Sequence, residues 1–518
     1  VLENGLRTSV PPFVGIGDRI IVSKFVYDVS DPERWDVIFF KYPFNAKDNY
    51  IKRLIGKPNE TLKISVVDIL VKPLGSDEQF TISRKPPAKV TAMMQTMHDS
   101  DYTPRALVDA GWPYRWQPVD EKQWEVEQNL VEEDGHAVSR PAYTVVKSSA
   151  NDPAWLRYHH YTPTESVWDE VEGNGKVTPP PQRLITDFYG YNAFINELVH
   201  SQSDTPSERR DWAEADYQIS DAYAEAYGMH WVGDLVLESE IDIAEKEGKL
   251  LLDLVEAGQH YQCAIDLEDG MATLSSVDIN GQAGASSDDA GEKTGATVSG
   301  KTSVGTGEHH FRLANVDNQI TLWVDDEVVE FDGPTTYSAP ALRTPDWNET
   351  DDGDLAPAGI GSAGAKFTVQ RMKLFRDIYY VAVKAPDQTT EPLMDYDVRN
   401  LVRRGNAWTR PRDVLDNPRE ERNKHPAAFE SLFTARRSVE FDLGEDLFFT
   451  LGDNSPQSMD ARIWDDSQHF VHRDYLVGKA MFIYWPHATG PLWLPNPWDG
   501  FRLTFPIVPN ISRMGFVR

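Results

Sequence analysis

Cysteine is almost missing from this chain. Cys263 stands alone among 518 residues, so no internal disulfide and no cysteine-built zinc site can form within it. Basic residues are also scarce: 51 Lys and Arg face 82 Asp and Glu, a formal net charge of −31. That balance argues against nucleic acid, because counterion release needs Lys and Arg facing phosphate. It equally disfavours simple electrostatic docking on an anionic membrane. No apolar run approaches the roughly 18 residues of a spanning helix, and no signal-peptide pattern stands at the start. The chain opens on Val1, which leads to the expectation of a fragment whose natural N-terminus is missing.

Apolar residues make up 40% of the chain and aromatics 11%, which fits a folded protein of two to four domains rather than a disordered one. The first 65 residues read as β: GDRIIVSKFVY, WDVIFFKYP and YIKRLIG are strands punctuated by turns. Residues 66–229 read as irregular, rich in Pro, Trp, Tyr and His. One helix is expected near 205–228, from a Thr-Pro start signal to Gly228. Residues 230–384 change to short alternating strands at regular spacing, such as KLLLDLVEA and QITLWVDDEVVEF, the pattern of an antiparallel β-sandwich. This stretch resembles the laminin-G or concanavalin-like jelly rolls in pattern. From 385 the text turns charged and loop-like before SVEFDLGEDLFFTLGDN and LVGKAMFIYW supply two more strands.

Two motifs match well-known expressions and fail on context. GATVSGKT at 295–302 fits the phosphate-loop pattern, but no buried strand precedes it and no helix follows, so nothing aims backbone amides at a phosphate. GIGSAG at 359–364 fits the dinucleotide fingerprint without a βαβ unit and reads as a turn. The doublets His159–His160 and His309–His310 offer at most one ligand per site, because strand neighbours face opposite ways. The acidic stretches SSDDAGE and ETDDGDL lack calcium-loop spacing. No cofactor or metal is expected.

YIKRLIGKPNE is harder to set aside. Tyr50, Lys52 and Leu54 share one strand face, and Ile51, Arg53 and Ile55 the other, so each face of an otherwise apolar strand carries a cation. Lysine is rarely buried unless it is paired or used. Either Lys52 snorkels from an edge strand to water, or it is desolvated so that it can act as a base near neutral pH. Far along the chain, LGDNSPQSMDARIW places Ser458, Asp460 and Arg462 at period two. If that segment is extended they share a face, where an Asp–Arg pair would be rigid and a serine could bond an amine.

Taken in order, GDRIIVSKF, YIKRLIGKPNE and GDNSPQSMDARIW resemble three boxes of the type I signal peptidases, the membrane-anchored serine–lysine proteases. YLVGKAMFIYWP is similar to the strand that follows the last box. The resemblance places Lys52 on the general base and Arg53 on the arginine beside it. Gly452, Asp453, Asn454, Ser458, Asp460 and Arg462 fall on the final box, where the serine orients the base and the Asp–Arg pair is structural. It implies a mainly β signal-peptidase core in two parts, 1–65 and 385–518. The irregular, partly helical stretch 66–229 and the sandwich 230–384 would be insertions between them.

The family's nucleophile lies in a Ser-Met-x-Pro-Thr-Leu box ahead of Gly-Asp. Here SVPPFVGIGD keeps the register from Ser9 to Gly17-Asp18 and the proline as Pro12, but Val10 and Phe13 replace the methionine and threonine. Two accounts stay open: Ser9 is the nucleophile in a diverged box, or the box lies upstream. The implied activity is removal of signal peptides from exported preproteins after small-x-small sequences, on the outer side of the cytoplasmic membrane. The implied membrane anchor is absent from this chain. GPLWLPNPW with FRLTFPIV, near 490–507, is the candidate membrane-facing surface, and a glycan or protein is a candidate ligand of the sandwich. Three rivals remain: a protease-like scaffold without the chemistry, a self-cleaving repressor, which would need a DNA-reading domain, and a sugar hydrolase with paired acids across a cleft.

Overall fold

The structure is a computed structural model. It describes the short strands Leu2–Glu3 and Leu6–Arg7 and residues 19–187, 228–385, 393–396, 411–485 and 515–517, short internal stretches excepted. The expected helix at 205–228, apart from its last residue Gly228, the candidate nucleophile Ser9 and the apolar segment 490–507 lie outside the described residues.

The architecture is mainly β, with antiparallel pairing in every named sheet. One sheet runs Val471–His472, Leu447–Leu451, Asn45–Gly56, Val37–Tyr42, Leu476–Trp485, Arg19–Ser23, with Gly515–Phe516 added on Leu476–Trp485. Its strands come from both ends of the chain, so the sheet joins residues hundreds of positions apart. A four-stranded sheet, ordered Ser438–Leu443, Glu60–Ser65, Asp68–Pro73, Thr81–Ile82, packs beside it. Ile38, Phe40, Leu54, Ile55, Leu62, Ile64, Phe441, Phe449 and Leu451 bury their side chains in the shared core. The sheet that begins with Ser438–Leu443 on Glu60–Ser65 continues past residue 65 to about residue 82, because Asp68–Pro73 pairs along Glu60–Ser65 and Thr81–Ile82 pairs with Asp68–Pro73.

The sandwich is likewise larger than its expected bounds of 230–384. Its two sheets recruit Gln95–Asp99, Thr103–Pro104, Trp116–Pro118, Trp124–Glu133, His136–Val145 and Ala154–Tyr158, all from the stretch read as irregular. These strands hide large aromatics on one face only: Trp116, Trp124, Tyr143 and Tyr158 point into the cluster built by Leu235, Leu252, Ile265, Leu313 and Ile360. GIGSAG is not a turn. It forms the strand Ala358–Ala363 in mid-sheet, between Ala154–Tyr158 and Lys249–Glu256. A Cβ at Gly361 would fall 2.7 Å from the Trp155 ring, so only glycine lets the indole lie against the sheet there. The phosphate-loop look-alike ends in the strand Val298–Lys301, paired with Met271–Leu274. Between sandwich and C-terminal half, the text read as loop contains Pro411–Asp416, Pro418–Lys424 and Pro426–Thr434, three short helices that each begin with proline.

His230 ties these layers together. It lies wholly buried between the carboxylates of Asp187 at 2.7 Å and Asp395 at 3.3 Å, stacked between the rings of Tyr379 and Tyr396. Burial disfavours its charged form, yet the two carboxylates outweigh that and push its pKa up to about 10.

Candidate active site

Register builds the site. Lys52 stands opposite Ile38 on one side of its strand. On the other side Leu451 stands opposite Arg53, so the chain leaves the sheet at Gly452 directly beside Lys52. A short 3₁₀ turn, Ser455–Gln457, then brings Ser458 back over the lysine. The Nζ of Lys52 donates to the Oγ of Ser458 at 2.7 Å, joining residues 406 apart in sequence. Ser458 is buried and Lys52 is half-buried.

Gly452 makes the approach possible. A Cβ there would fall 2.1 Å from Ser458 Oγ and 3.1 Å from Lys52 Nζ. Gly452→Ala is therefore expected to drive serine and amine apart, abolishing most activity while the fold, read by far-UV circular dichroism and melting, changes little. Retention of full activity would contradict this packing.

Arg53 points to the opposite face and is buried. Its Nε and Nη2 form a fork with Asp453 at 2.9 and 2.7 Å, and its Nη1 donates to the Trp35 carbonyl at 2.8 Å. Burial opposes its charge, but Asp453 raises its pKa above the usual arginine value. Trp35 supplies that carbonyl from a left-handed backbone, φ +73°, unusual for a large side chain. Its own N–H donates to Leu54 O at 2.8 Å, which holds the strained conformation in place. The lysine strand is thus pinned on both sides of Lys52.

Asp460 and Arg462 form a fully buried pair, with Nε–Oδ1 and Nη2–Oδ2 both 2.8 Å. The Asp460 carboxylate also accepts from the Gly452 N–H at 3.0 Å. Only part of the period-two expectation holds. The segment is not extended throughout, because the chain turns after Asp460, where the Ile463 N–H donates to the Asp460 carbonyl at 3.1 Å; Ser458 faces the lysine while Asp460 and Arg462 lock the loop from within. Asn454 is exposed and bonds only the turn itself, its Nδ2 donating to Gln457 Oε1 at 3.0 Å. Removing either partner of a buried pair leaves an uncompensated charge, which costs about 3–5 kcal/mol.

Every histidine of the two doublets is held by a protein side chain. His160 bonds the Tyr158 hydroxyl at 2.9 Å and His159 the Gln182 amide at 2.7 Å, while His309 and His310 pair with Asp325, Glu238 and Asp326. Burial pushes His159 down to about 4. Among the described residues, the carboxylates of Asp68, Asp234 and Asp317 come within 4.8 Å of one another, close enough in principle for a cation. Arg343 and Lys85 already stand there: Arg343 lies 2.9 Å from Asp68 and 2.7 Å from Glu256, and Lys85 lies 2.8 Å from both Asp317 and Asp377. The cluster is an ionic junction between core and sandwich.

A family model described as "Signal peptidase, peptidase S26" matches residues 5–99 and 395–485, the two parts that meet at Lys52 and Ser458. Signal peptidase I of Aquifex aeolicus is 44% identical over 55 residues, which is 11% of this chain and 22% of that protein. A probable signal peptidase I-2 of Synechocystis is 33% identical over 104 residues, 17% of this chain and 47% of that protein. The matches thus span less than half of these relatives. A Bacillus subtilis protein of unknown function with a galectin-like fold overlaps 55% of this chain and 97% of its own at 7% identity, with a TM-score of 0.24. Residues 5–99 and 395–485, which carry the lysine strand and the Gly-Asp-Asn loop between them, are thus the part of the chain that is similar to the type I signal peptidases.

Proposed function

We propose that this chain removes signal peptides from exported preproteins by a serine–lysine mechanism, with Ser9 as nucleophile and Lys52 as general base. The observation that carries the reading is the 2.7 Å bond from Lys52 to Ser458. A neutral amine has one lone pair, and an N–H committed to Ser458 leaves two positions for it. Lys52 would take the Ser9 proton as the hydroxyl attacks the carbonyl, then return it to the departing amine. Water, activated the same way, would release the acyl group. Ser9 lies inside the first matched segment, which supports it over an upstream serine. The chemistry requires the neutral form of Lys52, whose side chain is half-buried.

Substrate access is also supported. Asn45–Arg53 pairs with Val37–Tyr42 on one edge, whereas among the described residues only Arg53–Gly56 is covered on the other, by Leu447–Leu451. The open edge suits an extended peptide added as a strand, its alternate side chains entering shallow pockets that favour small residues. At the opposite edge of the sheet, on and beside Arg19–Ser23, Leu476–Trp485 and Gly515–Phe516, the residues Ile21, Phe25, Val29, Met481 and Phe516 expose apolar side chains, which supports contact with the outer face of the cytoplasmic membrane. No helix among the described residues is long and apolar enough to cross it.

Ser9→Ala in the full chain, assayed on a vesicle-borne preprotein with a small-x-small site, is expected to leave less than about 1% of wild-type cleavage, since covalent catalysis is lost outright. Cleavage at the wild-type rate would place the nucleophile elsewhere.

A further inference from the structure

The chain returns from the sandwich to the core through Asp377–Ala385, which lies outside both segments matched by the family model. This stretch is neither strand nor helix, yet every residue from Asp377 to Val383 is buried. Buried irregular backbone must find partners for its polar groups. It finds them on the catalytic loop. Val381 N–H donates to Ser455 Oγ at 2.9 Å, and the Val381 carbonyl accepts from Arg462 Nη1 at 2.9 Å. Ala385 N–H donates to the Arg462 carbonyl at 2.9 Å, and Arg462 Nη1 also donates to Ser455 Oγ at 2.8 Å.

Packing fixes the same segment from two sides. Ile378, Tyr380 and Ala382 join the core cluster that contains Leu54 and Leu451. Tyr379, Val381 and Val383 pack against Ile463 and against Val66 and Val67, the turn between Glu60–Ser65 and Asp68–Pro73. That turn carries valine at φ +58°, where Asn or Gly is usual, so burial under this segment offsets its strain.

We propose that Asp377–Ala385 is a positioning strap for the active site. Val381 and Ser455 hold Arg462, Arg462 holds Asp460, and Asp460 holds the Gly452 amide against which Ser458 and Lys52 are seated. The insertion is then part of the catalytic apparatus rather than a spacer, and Ser455 is a positioning residue although it touches neither substrate nor base. This inference rests on the serine–lysine reading.

The test uses the full chain and two readouts, steady-state cleavage of a preprotein and the titration of Lys52 followed by competitive acetylation and mass spectrometry. In Ser455→Ala, kcat should fall about tenfold or more with KM nearly unchanged, as expected when a reacting group is displaced by a fraction of an ångström. The Lys52 titration should move upward as water reaches the amine. Ser455→Cys, which keeps the volume but accepts hydrogen bonds weakly, should show a smaller change of the same sign, and Ser455→Thr should restore both. An unmoved Lys52 titration in folded Ser455→Ala, whatever its melting temperature, would overturn the strap. A wild-type Lys52 that titrates like an ordinary lysine, near about 10.4, would instead overturn the serine–lysine reading itself.

Discussion

Lys52→Ala is expected to lower kcat for a small-x-small preprotein by about 10²–10⁴-fold, the range lost when a positioned general base is removed. KM should change little, because in the proposed mechanism the amine acts on the nucleophile rather than binding the peptide. The fold should survive. Lys52 is only half-buried, and its strand keeps the Arg53 fork, the Trp35 bonds and the buried Leu54, Ile55 and Gly56 that pin it. Lys52→Arg should not rescue, since a guanidinium stays protonated at any pH the fold tolerates and cannot accept a proton. Lys52→Ala that cleaves undiminished would rule out the mechanism. Loss of cleavage together with loss of the fold would make the residue structural.

Arg343→Met should produce the largest loss of stability. Five buried carboxyl groups, Asp68, Asp234, Glu256, Asp317 and Asp377, face two buried cations, Lys85 and Arg343. Arg343 serves three of the five, bonding Asp68 and Glu256 and lying 3.4 Å from Asp234. Removing it should cost about 3–5 kcal/mol, the range for breaking a buried pair and stranding its partner. The cost should appear as a urea midpoint lowered by about 1 M or more.

The sign of the pH dependence follows from the carboxyls left behind. Burial already pushes Asp234 well above the ordinary carboxylate range and Asp68 above it, with Arg343 the main opposing influence. Without the guanidinium both rise further. A carboxyl whose folded pKa exceeds its unfolded one binds its proton more tightly when folded, so the penalty grows as pH rises and shrinks as pH falls. The variant should therefore lie closest to wild type near pH 4 and furthest from it above neutrality. A deficit independent of pH would mean that the junction is neutralised some other way.

The side-chain pairs of the candidate site were legible because they are carried by short, local patterns. Lys52 and Arg53 are adjacent, Asp460 and Arg462 are two apart, and a cation on each face of an apolar strand is conspicuous in one dimension. Less legible was anything that depends on a distant neighbour. IYYVAV reads as the tail of the strand Phe367–Arg376, but the strand stops at Arg376. Asp377 N–H turns to the Asp234 carbonyl at 2.9 Å, and the chain dives into the core. No periodicity announces that Val381 will meet Arg462. The strands between 95 and 158 were hidden for another reason. Their buried face uses bulky Trp and Tyr among prolines, which reads as irregular text until strands such as Phe367–Arg376 and Ala358–Ala363 lie alongside. In GIGSAG the glycines looked like turn formers, but Gly361 is small to make room for Trp155.

The central claim is that an amine seated on Ser458 takes the proton of Ser9. The separation of Lys52 Nζ from Ser9 Oγ, measured in crystals of the full chain with a signal-peptide product bound, tests it most directly. A distance within hydrogen-bond reach, about 2.6–3.2 Å, is the expected result. A separation beyond about 8 Å, too far for a single bridging water, would contradict it.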